Sequence, residues 1–296
     1  GDVMWMGYDG TDYEIYLYDA SEETIINLTN NSTYDYQHSI NASGEVVWKS
    51  WNPDTSFYDL YLYKASTGAI KITDSTDVNN PHISDSGNVV WYGWDPKGLD
   101  NEIYLYDDSS GNIINISNNT IDDFDPVIGA NGDIIWFTGA PEYYDGIYRY
   151  EALSGNITAI PVTSTYNYDL RVNATGDMVW YGFDETDYEI YFYNHLTNSV
   201  KKITDNTNDD YNPQINDSGD VTWYGESTRY NYEIFLYDSA AGNTEKLTDS
   251  GANYSPMINS NSDVAWYGWD GLDYEIYLYA GPAASVIPLT TNTTDD

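Results

Sequence analysis

Four stretches of this 296-residue sequence carry acidic residues in a recurring arrangement. They are Asp9, Asp12 and Glu14; Asp95, Asp100 and Glu102; Asp184, Asp187 and Glu189; and Asp270, Asp273 and Glu275. Grouped carboxylate oxygens are the ligands that Ca²⁺ takes, although the spacing matches no EF-hand loop. Each set therefore has two readings. It can hold Ca²⁺, or its Glu can brace a strand while its Asp residues solvate a loop. Large rings stand close by: Tyr8, Trp51, Trp94, Phe183 and Trp269 each follow a recurring tryptophan by three residues. Such rings can serve as ligand-binding platforms for a sugar or a partner protein, or they can plug the seams between packed sheets.

Catalytic signatures are sparse. The chain has no Cys and three His, His38, His82 and His195, which argues against thiol nucleophiles and transition-metal chemistry. No G-x-S-x-G elbow occurs. With 48 Asp plus Glu, a pair of carboxylates for glycoside cleavage is not singled out by abundance. The expectation from these residues is a protein that is not an enzyme.

What positions the acids and rings is a repeat. "GDVMW" ends at Trp5, "GEVVW" at Trp48, "GNVVW" at Trp91, "GDIIW" at Trp136, "GDMVW" at Trp180, "GDVTW" at Trp223 and "SDVAW" at Trp266. The tryptophans are 43 to 45 residues apart, and the seven units start near residues 1, 44, 87, 132, 176, 219 and 262. Each unit holds four short β-type runs punctuated by Gly, Asn, Asp and Ser, as in "DMVWYG", "YEIYFYN", "VKKIT" and "YNPQIN". Four strands per unit of that length, in tandem, mark the blade of a propeller. The heptapeptide "DYEIYLY", present at 12–18 and 273–279, fits that setting. Ile15 and Leu17 face one way and Tyr16 and Tyr18 the other, so both faces of the sheet are bulky and apolar. A sheet covered on both sides loses the alternation of a half-wet one.

The pattern "PHISDSGNVVWYGWD" followed by "NEIYLYD" resembles the TolB-like β-propeller repeats, over the whole chain. It is also similar to propellers of archaeal cell-surface proteins. The resemblance implies an all-β, seven-bladed β-propeller of four-stranded antiparallel blades, a single domain over 1–296, in a family that serves mostly as a scaffold. The family's "SPDG" turn is replaced here by "NASG", "SDSG", "NATG" and "NDSG".

One inner strand is missing from the given chain. The proline-bearing type occurs six times and the other three types seven times. Either the protein continues beyond the sequence, or another chain supplies the strand, or the gap is tolerated. An open edge inside a blade invites strand addition.

The net charge of −38, with only 10 Lys plus Arg, disfavours nucleic acid and anionic membrane surfaces as partners. No apolar run is long enough to span a bilayer, and no signal peptide is visible at Gly1, although the sequence opens mid-pattern. Glycosylation sequons include those at Asn30, Asn41, Asn118, Asn173, Asn216, Asn253 and Asn292. An Asn- and Thr-rich chain also makes sequons by accident. Taken together, these features point to an extracellular or cell-surface structural or adhesive module, with other copies of itself or other surface proteins as partners. The alternatives are a carbohydrate- or protein-binding propeller that uses the acidic aromatic rim, and a carbohydrate-active enzyme.

Overall fold

The β-branched and aromatic runs around each tryptophan are strands in the computed structural model, which describes residues 1–74, 77–140, 143–228, 231–249, 251–281 and 285–293. Blade 1 is β1 (Val3–Tyr8), β2 (Tyr13–Asp19) and β3 (Thr24–Asn27). Blade 2 is β4 (Asp35–Ile40), β5 (Val46–Asn52), β6 (Phe57–Lys64) and β7 (Gly68–Lys71). Blade 3 is β8 (Asn79–Ile83), β9 (Val89–Asp95), β10 (Asp100–Asp107) and β11 (Asn112–Asn115). Blade 4 is β12 (Asp123–Ile128), β13 (Ile134–Ala140), β14 (Tyr143–Tyr150) and β15 (Ile157–Ala159). Blade 5 is β16 (Thr165–Val172), β17 (Met178–Phe183), β18 (Tyr188–Asn194) and β19 (Ser199–Lys202). Blade 6 is β20 (Asp210–Ile215), β21 (Val221–Thr228), β22 (Asn231–Asp238) and β23 (Asn243–Lys246). Blade 7 is β24 (Asn253–Ile258), β25 (Val264–Trp269), β26 (Tyr274–Ala280) and β27 (Ser285–Pro288).

The fold is a seven-bladed β-propeller with every blade antiparallel; among the described residues six blades have four strands and blade 1 has three. Residue contacts divide the chain into two units, one of Gly1–Pro141 with Ile147–Ala159 and one of Glu142–Gly146 with Ile160–Asp296. Among the described residues no helix is long and apolar enough to cross a membrane.

The double-faced strands are buried on both sides. Consecutive residues Val46, Val47 and Trp48 on β5, and Ile134 to Phe137 on β13, are all buried. In every blade the tryptophan stacks on the aromatic residue directly across the ladder: Trp5 on Tyr16, Trp48 on Tyr61, Trp91 on Tyr104, Trp136 on Tyr148, Trp180 on Tyr191, Trp223 on Phe235 and Trp266 on Tyr277. Ring centroids lie 5.6 to 6.1 Å apart with planes within 20°. This explains the second aromatic position of "YEIYLY", Tyr16 in blade 1: it is the cross-strand partner of the tryptophan. The outer strands are short and exposed, which limits edge-to-edge pairing.

The asparagine of the "NASG" turn has a structural job. Asn41 Oδ1 accepts the backbone N–H of Ser43 and Glu45, and its Nδ2 donates to the Ser84 carbonyl of the next blade. Asn173 reaches the Asn216 carbonyl, and Asn216 the Asn259 carbonyl, in the same way. Asn253 is buried at the start of β24, where its Oδ1 accepts the Trp266 indole N–H. The expected glycan positions Asn41, Asn173, Asn216 and Asn253 are therefore corrected. Their amides are buried and hydrogen-bonded within the fold, while Asn30, Asn118 and Asn292 are exposed.

Candidate functional site

The acidic sets lie at hairpins that join the tryptophan strand to the next strand. In blade 1, Asp9 Oδ1 accepts the backbone N–H of Thr11 at 2.7 Å and of Asp12 at 3.2 Å, and the Asp9 N–H donates to the Asp12 carbonyl. An Asp that caps its own turn in this way fixes a tight loop. Gly10 takes a φ of 109°, which favours glycine. The turn recurs around Asp184 and Asp187, and around Asp270 and Asp273. It sets the first Asp at the loop and the second in the wall of the blade.

Glu14, two residues on, is fully buried. Thr29 Oγ1 donates to its Oε2 at 2.5 Å, and the Asn31 backbone N–H donates to its Oε1 at 3.0 Å. Thr29 Oγ1 in turn accepts the Ile15 N–H. The Glu–hydroxyl pair thus carries the β2–β3 ladder past the end of β3. Glu102 with Ser117, and Glu233 with Thr248, repeat it. The bracing role read from the sequence is present, and it leaves the Asp residues to account for.

Three acidic groups gather tightly: Asp9, Asp12 and Glu14; Asp184, Glu189 and Asp205; and Asp270, Asp273 and Glu275, each with one oxygen per residue within 4.8 Å of the others. Asp95, Asp100 and Glu102 are not among them, because the blade 3 loop is two residues longer. In blade 5 the cluster surrounds Lys202. Its Nζ donates to Asp184 Oδ2 and Asp205 Oδ1 and lies 3.3 Å from Glu189 Oε1. Burial works to lower the Lys202 pKa, but those bonds and the Glu189 charge outweigh it and leave the group raised. The Lys202 hydrogen bond holds the Asp184 pKa below its usual value. Asp187, beside the cluster, is pushed up to about 6, first by burial and then by the charges of Glu189, Asp184 and Asp209.

A second buried set was not visible as a site in the sequence. In blades 4, 6 and 7 the inner strand begins with Asp or Asn, and that side chain accepts the indole N–H of the blade's tryptophan: Trp136 to Asp123 at 2.8 Å, Trp223 to Asp210 at 2.9 Å and Trp266 to Asn253 at 3.1 Å, while in blade 5 Trp180 donates to Ser164. Burial pushes Asp210 up to about 7, against hydrogen bonds from Asn206 and Trp223 that pull it down. The inner strands also share a bulge at a left-handed residue, at Gln37, Asn80, Asp125, Asp169, Asn212 and Ser255, with φ between 44° and 52°. Gln37 and Asn80 hydrogen-bond each other across consecutive blades, and Asn80 donates to Asp125. The signal for them was the position three residues before each inner-strand end, four times followed by Pro.

Four of the five rim aromatics pack on a hairpin partner, although Tyr8 and Trp269 stay exposed. Tyr8 packs on Tyr13, Trp51 on Tyr58, Phe183 on Tyr188 and Trp269 on Tyr274, each across its own hairpin with centroids 5.1 to 5.5 Å apart. Trp94 differs. It stands opposite Asn101, is 44% exposed, and lines a cavity of about 400 Å³ with Ile72, Pro96, Tyr104 and Ile113.

Fold and site together define a seven-bladed β-propeller with acidic hairpin clusters. No protein-family model matches the sequence, and no curated protein sequence matches it. Solved structures do. A prolyl endopeptidase matches with a TM-score of 0.72 at 10% identity, over 97% of this chain and 48% of its own. This chain thus spans about half the length of that protein. The β-propeller domain of the trilobed protease from Pyrococcus furiosus, described as having an open velcro topology, matches at 0.64 and 14% identity, over 98% of this chain and 94% of its own. TolB from Acinetobacter baumannii matches at 0.50 and 15% identity, over 99% and 80%. The similarity to TolB read from the repeats is therefore present in three dimensions, and at these identities it concerns the fold. The same comparison corrects the expectation that the chain is not an enzyme. Propellers of this form are parts of peptidase chains, so scarce His and absent Cys do not exclude catalysis.

Proposed function

We propose that the chain is an extracellular structural or adhesive module whose blade 1 accepts an added strand, from a further part of the same protein or from a neighbouring polypeptide. The observation that carries this reading is a socket. In blades 6 and 7 the inner-strand Asp210 and Asn253 sit over Gly225 and Gly268, so closely that a Cβ on either glycine would fall 2.1 or 2.4 Å from the side-chain oxygen. Blade 1 keeps the equivalent small residue, Gly7 opposite Glu14, and the equivalent indole, Trp5. Among the described residues it has no inner strand to use them. Trp5 is half-buried where the six other tryptophans are buried, and Val3, Met6 and Tyr8 on β1 are exposed. A strand opening with Asp or Asn and an aromatic residue, as β20 and β24 do, has the chemistry to fill that edge. The acidity and the exposed sequons support an extracellular setting.

The test is titration with a peptide of residues 208–217, "NDDYNPQIND". Saturable binding that raises the melting temperature and fails when its Asp210 equivalent becomes Leu is the expected result. No binding, with a melting temperature indifferent to peptide, removes the reading. A second reading, carbohydrate or protein binding, is favoured by the Trp94 cavity; there Trp94→Ala abolishes binding in a glycan-array screen.

A further inference from the structure

Blades 1 and 5 build the same acidic hairpin but treat its charge differently. In blade 5 the ammonium of Lys202 stands among Asp184, Glu189 and Asp205. Lys202 is the residue of β19 that faces Tyr191, the ring stacked on Trp180. The matching residue of blade 1 is Asn27, facing Tyr16. In blade 7 it is Pro288, facing Tyr277. Both blades lack the cation and keep two of the three carboxylates, with Asn30 and Thr291 at the place of Asp205; the third acid gathered there is Asp12 or Asp273.

The blade 1 carboxylates are gathered and enclosed. Asp12 is 6% exposed, and neither of its oxygens has a hydrogen-bond partner. An ionised carboxylate is costly to bury without a partner. In blade 7, Glu275 is 1% exposed, and neither of its oxygens accepts a hydrogen bond. Oxygens on opposite sides of a Ca²⁺ ion, each about 2.4 Å from it, are about 4.8 Å apart. The three oxygens of each cluster fall within that span.

We infer that blade 1 binds Ca²⁺ through Asp9, Asp12 and Glu14, and blade 7 through Asp270, Asp273 and Glu275, the ion standing where Lys202 stands in blade 5. Ca²⁺ suits the sites better than Mg²⁺. It accepts irregular sets of oxygen ligands, with water completing the shell, whereas Mg²⁺ demands a near-ideal octahedron. The ion would tie the hairpin loop to Glu14, and through Thr29 to the outer strand. Blade 3 also lacks the lysine, with Asn115 at its place, but its longer loop does not gather the acids, and no site is inferred there.

The experiment is calorimetric titration of the chelator-treated chain with Ca²⁺, in enough monovalent salt to screen the diffuse acidic surface. Two saturable sites per chain are expected. Asp12→Asn leaves one, and Asp12→Asn with Glu275→Gln leaves none. Asp187→Asn, beside the lysine-filled cluster, leaves both. Asp9→Asn keeps the turn, since Asn caps it equally well, and weakens one site about tenfold or more by removing a charged ligand. It keeps the test decisive if a buried variant fails to fold. No saturable binding in salt, or two intact sites in both Asp12→Asn and Asp9→Asn, overturns the inference.

Discussion

Blade 1 and blade 5 have nearly the same hairpin sequence, "DYEIYLY" against "DYEIYFY", and end in different states. Blade 5 has four strands, a fully buried Trp180 and a lysine inside its acidic cluster. Blade 1 has three strands, a half-buried Trp5 and an acidic cluster without a basic side chain. The difference teaches that the repeated heptapeptide specifies a hairpin, not a finished blade. Completion depends on residues far from it in sequence: an inner strand that lies 15 to 22 residues upstream in blade 5 and a lysine 13 residues after Glu189. Where those are absent, the same hairpin presents an open edge and an uncompensated charge.

The largest test of that contrast is in the tryptophans. Trp180→Ala should cost about 3–5 kcal/mol of unfolding free energy, as large-to-small changes in a packed core do. Trp5→Ala should cost much less, about 1 kcal/mol, because its ring is already part-solvated. Equal losses in urea unfolding would erase the distinction between the blades.

The inner strand also brings a titratable group that blade 1 lacks. Asp210 is held near a pKa of about 7, above its ordinary value of 3.8, chiefly by burial. The folded chain therefore binds this proton more tightly than the unfolded chain. Its contribution is fully present below about pH 4 and is lost as pH rises towards 7, on the order of 4 kcal/mol at most. Asp210→Asn should remove that decline, measured as unfolding free energy against pH. Asn is already accepted at this place, since Asn253 takes the Trp266 indole in blade 7. An unchanged slope between pH 4 and 7 would place the proton elsewhere.

A smaller effect is expected at Lys202. Lys202→Met leaves the buried Glu189 and the half-buried Asp184 without their cation and should cost about 1–2 kcal/mol, discounted from the loss of a fully buried pair because the lysine is partly solvated. Added Ca²⁺ should recover part of that loss. A Met variant as stable as the parent would mean that the cluster is not strained by its own charge.

Much of the fold was legible because the tryptophan period is nearly constant and each unit repeats the same turn chemistry. The two-sided burial followed from tyrosines at alternate positions, and the three-stranded blade from counting inner strands. What stayed hidden is set by pairing across the sheet. Lys202 read as part of the strand "VKKIT", and nothing local places its ammonium against Asp184, 18 residues earlier. Asn41 and Asn173 read as sequons because a sequence shows the triplet and not the carbonyl of the next blade. The rim aromatics left both a platform and a seam-filling role open because a sequence does not show their hairpin partners, such as Tyr58 for Trp51. The left-handed residues before the inner-strand prolines were hidden because such residues normally avoid that conformation.

Amide hydrogen exchange on β1 and β17, with and without the 208–217 peptide, tests the central claim most directly. The account predicts that edge-facing amides of β1 exchange quickly in the isolated chain and become protected when the peptide is added, while β17 is protected throughout. Protection of β1 equal to that of β17 without peptide, or no change on its addition, would contradict it.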